Sequence, residues 1–195
     1  MTEEEKVLKL DELYGIIQKD SKYRNNRMGN VFVPGSGSLR QKALVLIGEA
    51  PGREEETART PFVGPAGKNL DVLLAQIGLS RNDVFVTNLV KYRPMDAKGG
   101  NRSPTSKESR YALPFLQEEL QILKPPVVVC LGLSAAKSLL DDKLLKMQKA
   151  NGSFFEKAGR KILVTYHPSP FNYQSPRKRE ALQEAFHHLK RFVKV

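Results

Sequence analysis

The chain has 195 residues, 40% of them hydrophobic, so it is long enough to bury one sizeable core but short for two independent ones. Lys and Arg number 32 against 21 Asp and Glu, a formal charge of +11 that favours a polyanionic partner over a neutral small molecule. No apolar stretch is long enough to span a bilayer, and the acidic start MTEEEKVLK is unlike a secretory signal. We therefore expect a single domain over residues 1–195, monomeric and cytoplasmic.

Helix-like and strand-like segments alternate along the chain. In order, the patterns predict a helix at residues 4–20, a strand at 43–48, a helix at 66–78, a strand at 84–88, a helix at 106–123, a strand at 127–132, a helix at 134–140, a strand at 161–167 and a helix at 179–193. This alternation predicts a three-layer α/β/α sandwich with a central, mostly parallel four-stranded sheet.

The ends of the predicted strands carry the polar and glycine-rich residues of the chain. The first strand runs into GEAPG from Gly48, the second ends on Asn88, and the last ends on His167. In an open parallel sheet the ligand crevice lies at the carboxyl ends of the strands, so we expect a site there. The long, basic loop between Lys91 and Ser103 is expected to be mobile or to contact the substrate.

An ordered set of motifs resembles the uracil-DNA glycosylase superfamily, and most closely its family 4. The motifs are GEAPGREEE from Gly48, TPFVGPAGKNLD from Thr60, VTNLVKYRP from Val86, VVVCLGLSAAKSLL from Val127 and TYHPSP from Thr165. The resemblance covers nearly everything from Ala43 onwards. It implies a monofunctional DNA glycosylase that hydrolyses the N-glycosidic bond of a flipped uracil and leaves an abasic site for base excision repair.

The resemblance implies that Gly48, Ala50, Phe62 and Asn88 bind the base. Phe62 matches the aromatic on which the extruded base stacks, although a Phe in this context is also typical of a core. The Asn88 carboxamide offers one acceptor and two donors, which pair with N3–H and O4 of uracil but not with the opposite pattern of cytosine. The alternative for Asn88 is a cap on the strand end.

The catalytic residues implied by the resemblance are Glu49, Glu55 and His167. The two carboxylates match those that position or activate water, while residues 54–56 also read as a solvated charge run. A hydrogen bond from the His167 imidazole would stabilise the charge that forms on uracil O2. The best-known members have an Asp at the position of Ala50 and a Tyr at the position of Gly52, so the activator of the water stays open.

Several residues are expected to contact DNA rather than take part in chemistry. Ser169 and the backbone after His167 are expected to hold a phosphate, and Pro170, Phe171 and Asn172 to fill the gap left by the flipped nucleotide. The candidate cations for the phosphate backbone are Lys91, Arg93, Arg102, Arg177, Lys178 and Arg179.

The cysteine count departs from the family 4 pattern of four cysteines that hold an iron–sulfur cluster. Cys130 is the only cysteine and stands in an apolar run, which predicts a core position. Tyr92 and Tyr111 stand at two of the matching positions, so we predict no cluster, no metal and no cofactor. Two alternatives remain: a catalytically weak or inactive DNA- or nucleotide-binding member of this fold, and a glycosylase for deaminated purines.

Overall fold

The computed structural model describes residues 1–41 and 43–192, which are built around a six-stranded sheet. The strands are β1 (Ser36–Gly37), β2 (Leu44–Gly48), β3 (Val84–Asn88), β4 (Val127–Leu131), β5 (Phe154–Lys157) and β6 (Arg160–Thr165). They lie in the order β1-β3-β2-β4-β6-β5, with four parallel inner strands and antiparallel β1 and β5 at the edges. The predicted parallel strands are confirmed, but the sheet has six strands rather than four.

Helices cover both faces of the sheet, which confirms the predicted three-layer α/β/α sandwich. They are α1 (Glu3–Lys19), α2 (Arg53–Ala58), α3 (Pro65–Gln76), α4 (Ser106–Leu123), α5 (Leu133–Leu140), α6 (Met147–Ala150), α7 (Pro170–Gln174) and α8 (Pro176–His187). One core cluster contains buried residues of α1, α4 and α5, and the other contains those of α3 and α8. Residue 193, the predicted end of the last helix, lies outside the described residues.

The inner strands alternate between the two core clusters because successive side chains of a strand point to opposite faces. In β2, Val45 and Ile47 belong to the cluster under α1 and α4, while Leu44 and Leu46 belong to the one under α3 and α8. Burial on both faces explains why the sequence of each inner strand is an almost continuous apolar run.

The strand register brings the predicted strand ends to one edge of the sheet. Gly48 pairs with Asn88 at the end of β2 and β3, and Leu131 pairs with Thr165 at the end of β4 and β6. The loops that leave these four strands therefore start side by side.

The loop between Lys91 and Ser103 is held by hydrogen bonds along its length. Asp96 accepts from the backbone N–H groups of Lys98 and Gly100, each at 2.8 Å, and isolated β-bridges join Met95 to Asn101 and Met28 to Pro94. Its far end is tied to α4 by the Arg102–Glu108 ion pair at 2.8 Å. The loop was expected either to be mobile or to contact the substrate, and these contacts argue against a mobile loop.

Helices long and apolar enough to cross a membrane do not occur among the described residues.

Candidate active site

A cavity of about 420 Å³ opens at the carboxyl edge of the sheet. Its walls come from the segments after β2, β3 and β6, from the start of α3 and from the end of the loop before α4. It is lined by Glu49, Ala50, Pro51, Gly52, Glu55, Phe62, Pro65, Ala66, Asn88, Asn101, Arg102, Ser103, His167 and Pro170. Segments far apart in sequence thus form one concave site at the place where an open parallel sheet offers one.

Phe62 is buried in this wall and has a left-handed backbone, with φ of +57°. Arg81 donates to its carbonyl oxygen at 2.8 Å. A Cβ at Gly67 would lie 1.7 Å from the same oxygen, so only glycine lets the first turn of α3 approach this closely. The ring centroids of Phe62 and His167 are 5.7 Å apart, with 32° between the planes. These contacts with Arg81, Gly67 and His167 therefore fix the position of the Phe62 ring in the wall of the cavity.

Asn88 is buried at the end of β3 and lines the cavity. Its neighbour Gly48 makes this close arrangement possible, because a Cβ at residue 48 would lie 2.3 Å from Asn88 Oδ1 and 2.6 Å from the Phe62 ring. Within the described ranges, the Asn88 carboxamide makes no hydrogen bond to another residue. By contrast, every polar side-chain atom there that is inaccessible to solvent has a hydrogen-bond partner. Its donors and acceptor remain available to a ligand.

His167 follows β6, and its ring lies beside the Phe62 ring in the cavity wall. Burial lowers the pKa of His167 to about 4, and the nearby Glu55 carboxylate opposes that shift. The imidazole is therefore neutral at pH 7 and can donate one hydrogen bond. The backbone around it is fixed by Asn172, which donates to the His167 carbonyl oxygen, and by Asn69, which donates to that of Pro168, both at 2.9 Å.

The two predicted carboxylates have different surroundings. Glu55 accepts from the backbone N–H of Gly52 through Oε2 and from that of Gly64 through Oε1, both at 3.0 Å. It therefore ties the start of α2 to the start of α3. Glu49 accepts from the Ser103 hydroxyl through Oε2 at 3.2 Å, which leaves Oε1 available in the cavity.

Comparison with known proteins matches residues 34–190 to the family model described as the uracil DNA glycosylase superfamily. The chain belongs to this superfamily. Relatives named Type-4 uracil-DNA glycosylase include one from Archaeoglobus fulgidus, 36% identical over 91% of this chain and 89% of the relative. Another, from Pyrobaculum aerophilum, is 38% identical over 76% and 74%, and one from Saccharolobus solfataricus is 39% identical over 87% and 77%.

The structure corrects two of the predicted DNA contacts of this superfamily member. Lys91 is 1% exposed and pairs with the buried Glu119 at 2.7 Å. Arg93 is 5% exposed and donates to Asn101 Oδ1 at 2.6 Å and to the Gly99 carbonyl oxygen at 2.7 Å. Both predictions are wrong because the chain turns back into the protein after Asn88, so neither cation reaches the surface.

Five other predicted DNA contacts lie together beside the cavity, at α7 and the start of α8. Arg102 lies instead in the loop before α4, where it pairs with Glu108, and exposed Arg179 lies in α8; for these two residues a contact with DNA also stays a prediction. Phe171 is 77% exposed, and Lys178 Nζ lies 4.7 Å from its ring centroid and 3.0 Å from Asn172 Oδ1. Arg177 is exposed, Pro170 lines the cavity, and the Ser169 hydroxyl caps α7 by accepting from the Asn172 N–H at 3.4 Å. A contact with DNA stays a prediction for these five residues.

The residues present do not fit an iron–sulfur cluster. Cys130 is fully buried in β4, where burial raises the pKa of its thiol to about 12, and three further thiolates would be needed. Within residues 1–41 and 43–192 no three His, Cys, Asp or Glu side chains are grouped to hold a metal ion. Instead there is an aromatic cluster, in which the Tyr23 ring lies 5.9 Å from Tyr92, 6.2 Å from Tyr111 and 5.3 Å from Phe115 between centroids.

Four functional positions were missed by sequence reasoning. Asn101 and Ser103 line the cavity, Arg81 holds the Phe62 carbonyl, and Asn69 holds the backbone after His167. Asn101 and Ser103 stand in the polar loop that was expected to contact the substrate, which is a weak signal in their favour. Arg81 and Asn69 act through backbone oxygens, and no sequence pattern marks that kind of contact.

Proposed function

We propose that this chain is a uracil-DNA glycosylase that hydrolyses the N-glycosidic bond of a flipped uracil and leaves an abasic site in DNA. The observation that carries the proposal is that Glu49, Phe62, Asn88 and His167, predicted from four separate motifs, line one cavity. Membership of the superfamily and the names of the relatives support it.

Recognition of the base rests on Phe62 and Asn88. Stacking on an aromatic ring contributes roughly 1 to 3 kcal/mol per base and does not distinguish one base from another. Selectivity comes from the Asn88 carboxamide, whose oxygen accepts from N3–H of uracil and whose nitrogen donates to O4. Cytosine presents an acceptor at N3 and a donor at the exocyclic position, so its binding leaves buried polar groups unpaired.

Bond cleavage rests on His167 and Glu49. When the bond between C1′ and N1 breaks, its electron pair leaves with uracil as an anion and the sugar becomes an oxocarbenium ion. The neutral imidazole of His167 donates a hydrogen bond to uracil O2, where negative charge develops. Water then attacks C1′, and the Glu49 carboxylate accepts its proton. We assign this role to Glu49 rather than Glu55, because both oxygens of Glu55 already accept backbone hydrogen bonds.

DNA is held in this proposal by α7 and α8. Phe171, next to Pro170, enters the gap left by the extruded nucleotide. Its insertion offsets the few kcal/mol that extrusion costs. Ser169, Arg177 and Lys178 contact the flanking phosphates, and the exposed, basic character of this surface supports that assignment. The proposal further includes a single domain over residues 1–195, acting as a monomer in the cytoplasm on single- or double-stranded DNA.

A base-release assay tests the function. The purified protein is incubated with single- and double-stranded DNA carrying one uracil, and free uracil is measured, with hypoxanthine, xanthine and thymine mispairs as competing substrates. We expect uracil release, with kcat reduced by about 100- to 1,000-fold in His167→Ala and in Asn88→Ala. His187→Asn, which changes an exposed histidine, serves as the matched control.

The same assay separates the alternatives. A folded protein that binds both DNA forms but releases no base is the non-catalytic binder, and the proposal then fails. Faster release of hypoxanthine or xanthine than of uracil would identify a glycosylase for deaminated purines.

A further inference from the structure

A buried ion pair lies directly behind the base-binding wall. Lys91 and Glu119 are 1% and 0% exposed, with Nζ and Oε2 2.7 Å apart. Burial lowers the pKa of Lys91, and the Glu119 carboxylate opposes that shift. Neither residue lines the cavity. Replacing a buried ion pair by apolar residues of similar size is often neutral or stabilising, so stability alone gives no reason to keep it.

Thr87 connects this pair to the strand that carries Asn88. Its hydroxyl accepts from Lys91 Nζ and donates to Glu119, whose two carboxylate oxygens lie 3.2 Å and 3.1 Å away. Glu119 also accepts from the Tyr14 hydroxyl. The Lys91 side chain thus reaches back four residues and closes the segment from 87 to 91 around Asn88.

The backbone of the same segment is hydrogen-bonded to Gly48 and Glu49 at the end of β2 and to Tyr23 of the aromatic cluster. The N–H of Leu89 donates to the Gly48 carbonyl oxygen at 2.9 Å, and that of Val90 donates to the carbonyl oxygen of Glu49 at 3.1 Å. The N–H of Lys91 donates to the Tyr23 hydroxyl at 3.2 Å. A shift of residues 87–91 would therefore move Asn88 relative to Glu49 and Phe62.

We propose that Lys91 and Glu119, through Thr87, are positioning residues that hold the Asn88 carboxamide in the orientation that reads uracil. This inference rests on the proposed function, because it concerns the fit of that site to its base. A displacement of about 1 Å in a reacting geometry lowers a rate on the order of 100-fold, so a pair that never touches the substrate controls catalysis through Asn88 alone.

The test is a set of variants at this pair, measured by steady-state release of uracil at a temperature where all are folded. Lys91→Met and Glu119→Leu each leave one buried charge without a partner, whereas Lys91→Met/Glu119→Leu removes both. We expect the double variant to fold but to melt at a lower temperature than the wild type, because the buried hydroxyls of Tyr14 and Thr87 lose the carboxylate that accepts from them. Its kcat should fall on the order of 10- to 100-fold, with KM changed less than about twofold.

The same substitutions made in the Asn88→Ala variant distinguish positioning of the Asn88 carboxamide from a general contribution to the stability of the fold. In Asn88→Ala the pair has no carboxamide left to hold, so adding Lys91→Met/Glu119→Leu should lower kcat no further. Additive losses would overturn the inference, and so would wild-type kcat in the folded double variant. The proposed function fails separately, when the wild-type protein itself releases no uracil.

Thr87 provides a second route if the double variant does not fold. Thr87→Val keeps the shape but removes the hydroxyl, so kcat should fall several-fold, and Thr87→Ser should restore it. Unchanged kcat in a folded Thr87→Val would overturn the inference as well.

The matched control is Lys6→Met, which removes another buried lysine. Lys6 donates to the Leu39 carbonyl oxygen at 2.7 Å, and the N–H of the adjacent Ser38 bonds the carbonyl oxygen of Val84 at the opposite end of β3 from Asn88. Its kcat should equal that of the wild type.

Discussion

Gly48, at the end of β2, sets how closely the side chains of Asn88 and Phe62 approach each other. Any Cβ there would overlap Asn88 Oδ1 and the Phe62 ring, at 2.3 Å and 2.6 Å. We expect Gly48→Ala to lower kcat/KM for uracil by about 10- to 100-fold, because either side chain must move to make room. The unfolding free energy should fall by about 1 to 3 kcal/mol, as in other overpacked sites.

Gly15 in α1 is the control for that substitution, because a Cβ there meets nothing within 4 Å. Gly15→Ala should leave base release unchanged and stabilise the helix by about 0.5 to 1 kcal/mol. Equal activities of the two alanine variants would show that the cavity tolerates the extra methyl group. Denaturant titration and steady-state kinetics give both readouts.

His167 makes the stability of the protein depend on pH. Its pKa lies near 4 in the folded state, below the ordinary value of 6.5, so between these values the unfolded state binds more protons. The free energy of unfolding should therefore fall as the pH drops from about 6.5 to 4, by at most about 3.5 kcal/mol at 1.4 kcal/mol per pKa unit. The folded protein keeps its neutral imidazole over most of this window.

Urea denaturation at a series of pH values measures this effect. The pH slope of His167→Asn should be shallower than that of the wild type in this window, while His187→Asn should retain the wild-type slope. Parallel curves for wild type and His167→Asn would contradict the lowered pKa.

The strands and their ends were the part of the fold that the sequence made predictable. In β4, Val127–Leu131 is buried on both faces, and such strands read as unbroken apolar runs. The edge strands gave no such signal, because Ser36–Gly37 has two residues and Phe154–Lys157 is only half-buried. Short helices such as Arg53–Ala58 have too few turns to show a period.

The positions of site residues at the ends of strands could be predicted from the sequence. The positions of residues in the segments that follow the strands could not. Asn88 and His167 fall in the cavity because parallel register aligns the strand ends. Lys91 looked like a DNA contact because it stands in a basic segment. Its burial depends on Glu119, which lies 28 residues further along the chain in α4, and nothing near Lys91 in sequence indicates that contact.

The aromatic cluster of Tyr23, Phe32, Tyr92, Tyr111 and Phe115 joins the segment after α1 to α4 and to the segment after β3. Because ring packing links these elements here, we expect chelators to leave both Tm and base release unchanged.

Tyr23→Ala should lower the unfolding free energy by about 3 to 5 kcal/mol, as for other large buried aromatics. Exposed Tyr111→Ala should have a smaller effect. A melting temperature that falls on chelation would contradict this account.

The molecule as a whole carries a formal charge of +11, and Arg177 and Lys178 beside the cavity are cations that we propose to contact DNA. Each phosphate neutralised should steepen the log–log dependence of duplex affinity on salt by about 0.9. We therefore expect Lys178→Ala to reduce that slope by about 0.9, measured by fluorescence anisotropy over a range of salt concentrations. Lys9→Ala in α1 changes an exposed lysine of the same charge and should leave the slope as it is.

One wall of the cavity depends on a strand in the interior of the sheet. His167 lies two residues after the end of β6, and β6 lies between β4 and β5 in the sheet, so the position of the imidazole depends on the pairing of β6. In the proposed mechanism His167 stabilises the departing uracil anion, so excision requires β6 to be paired in the sheet.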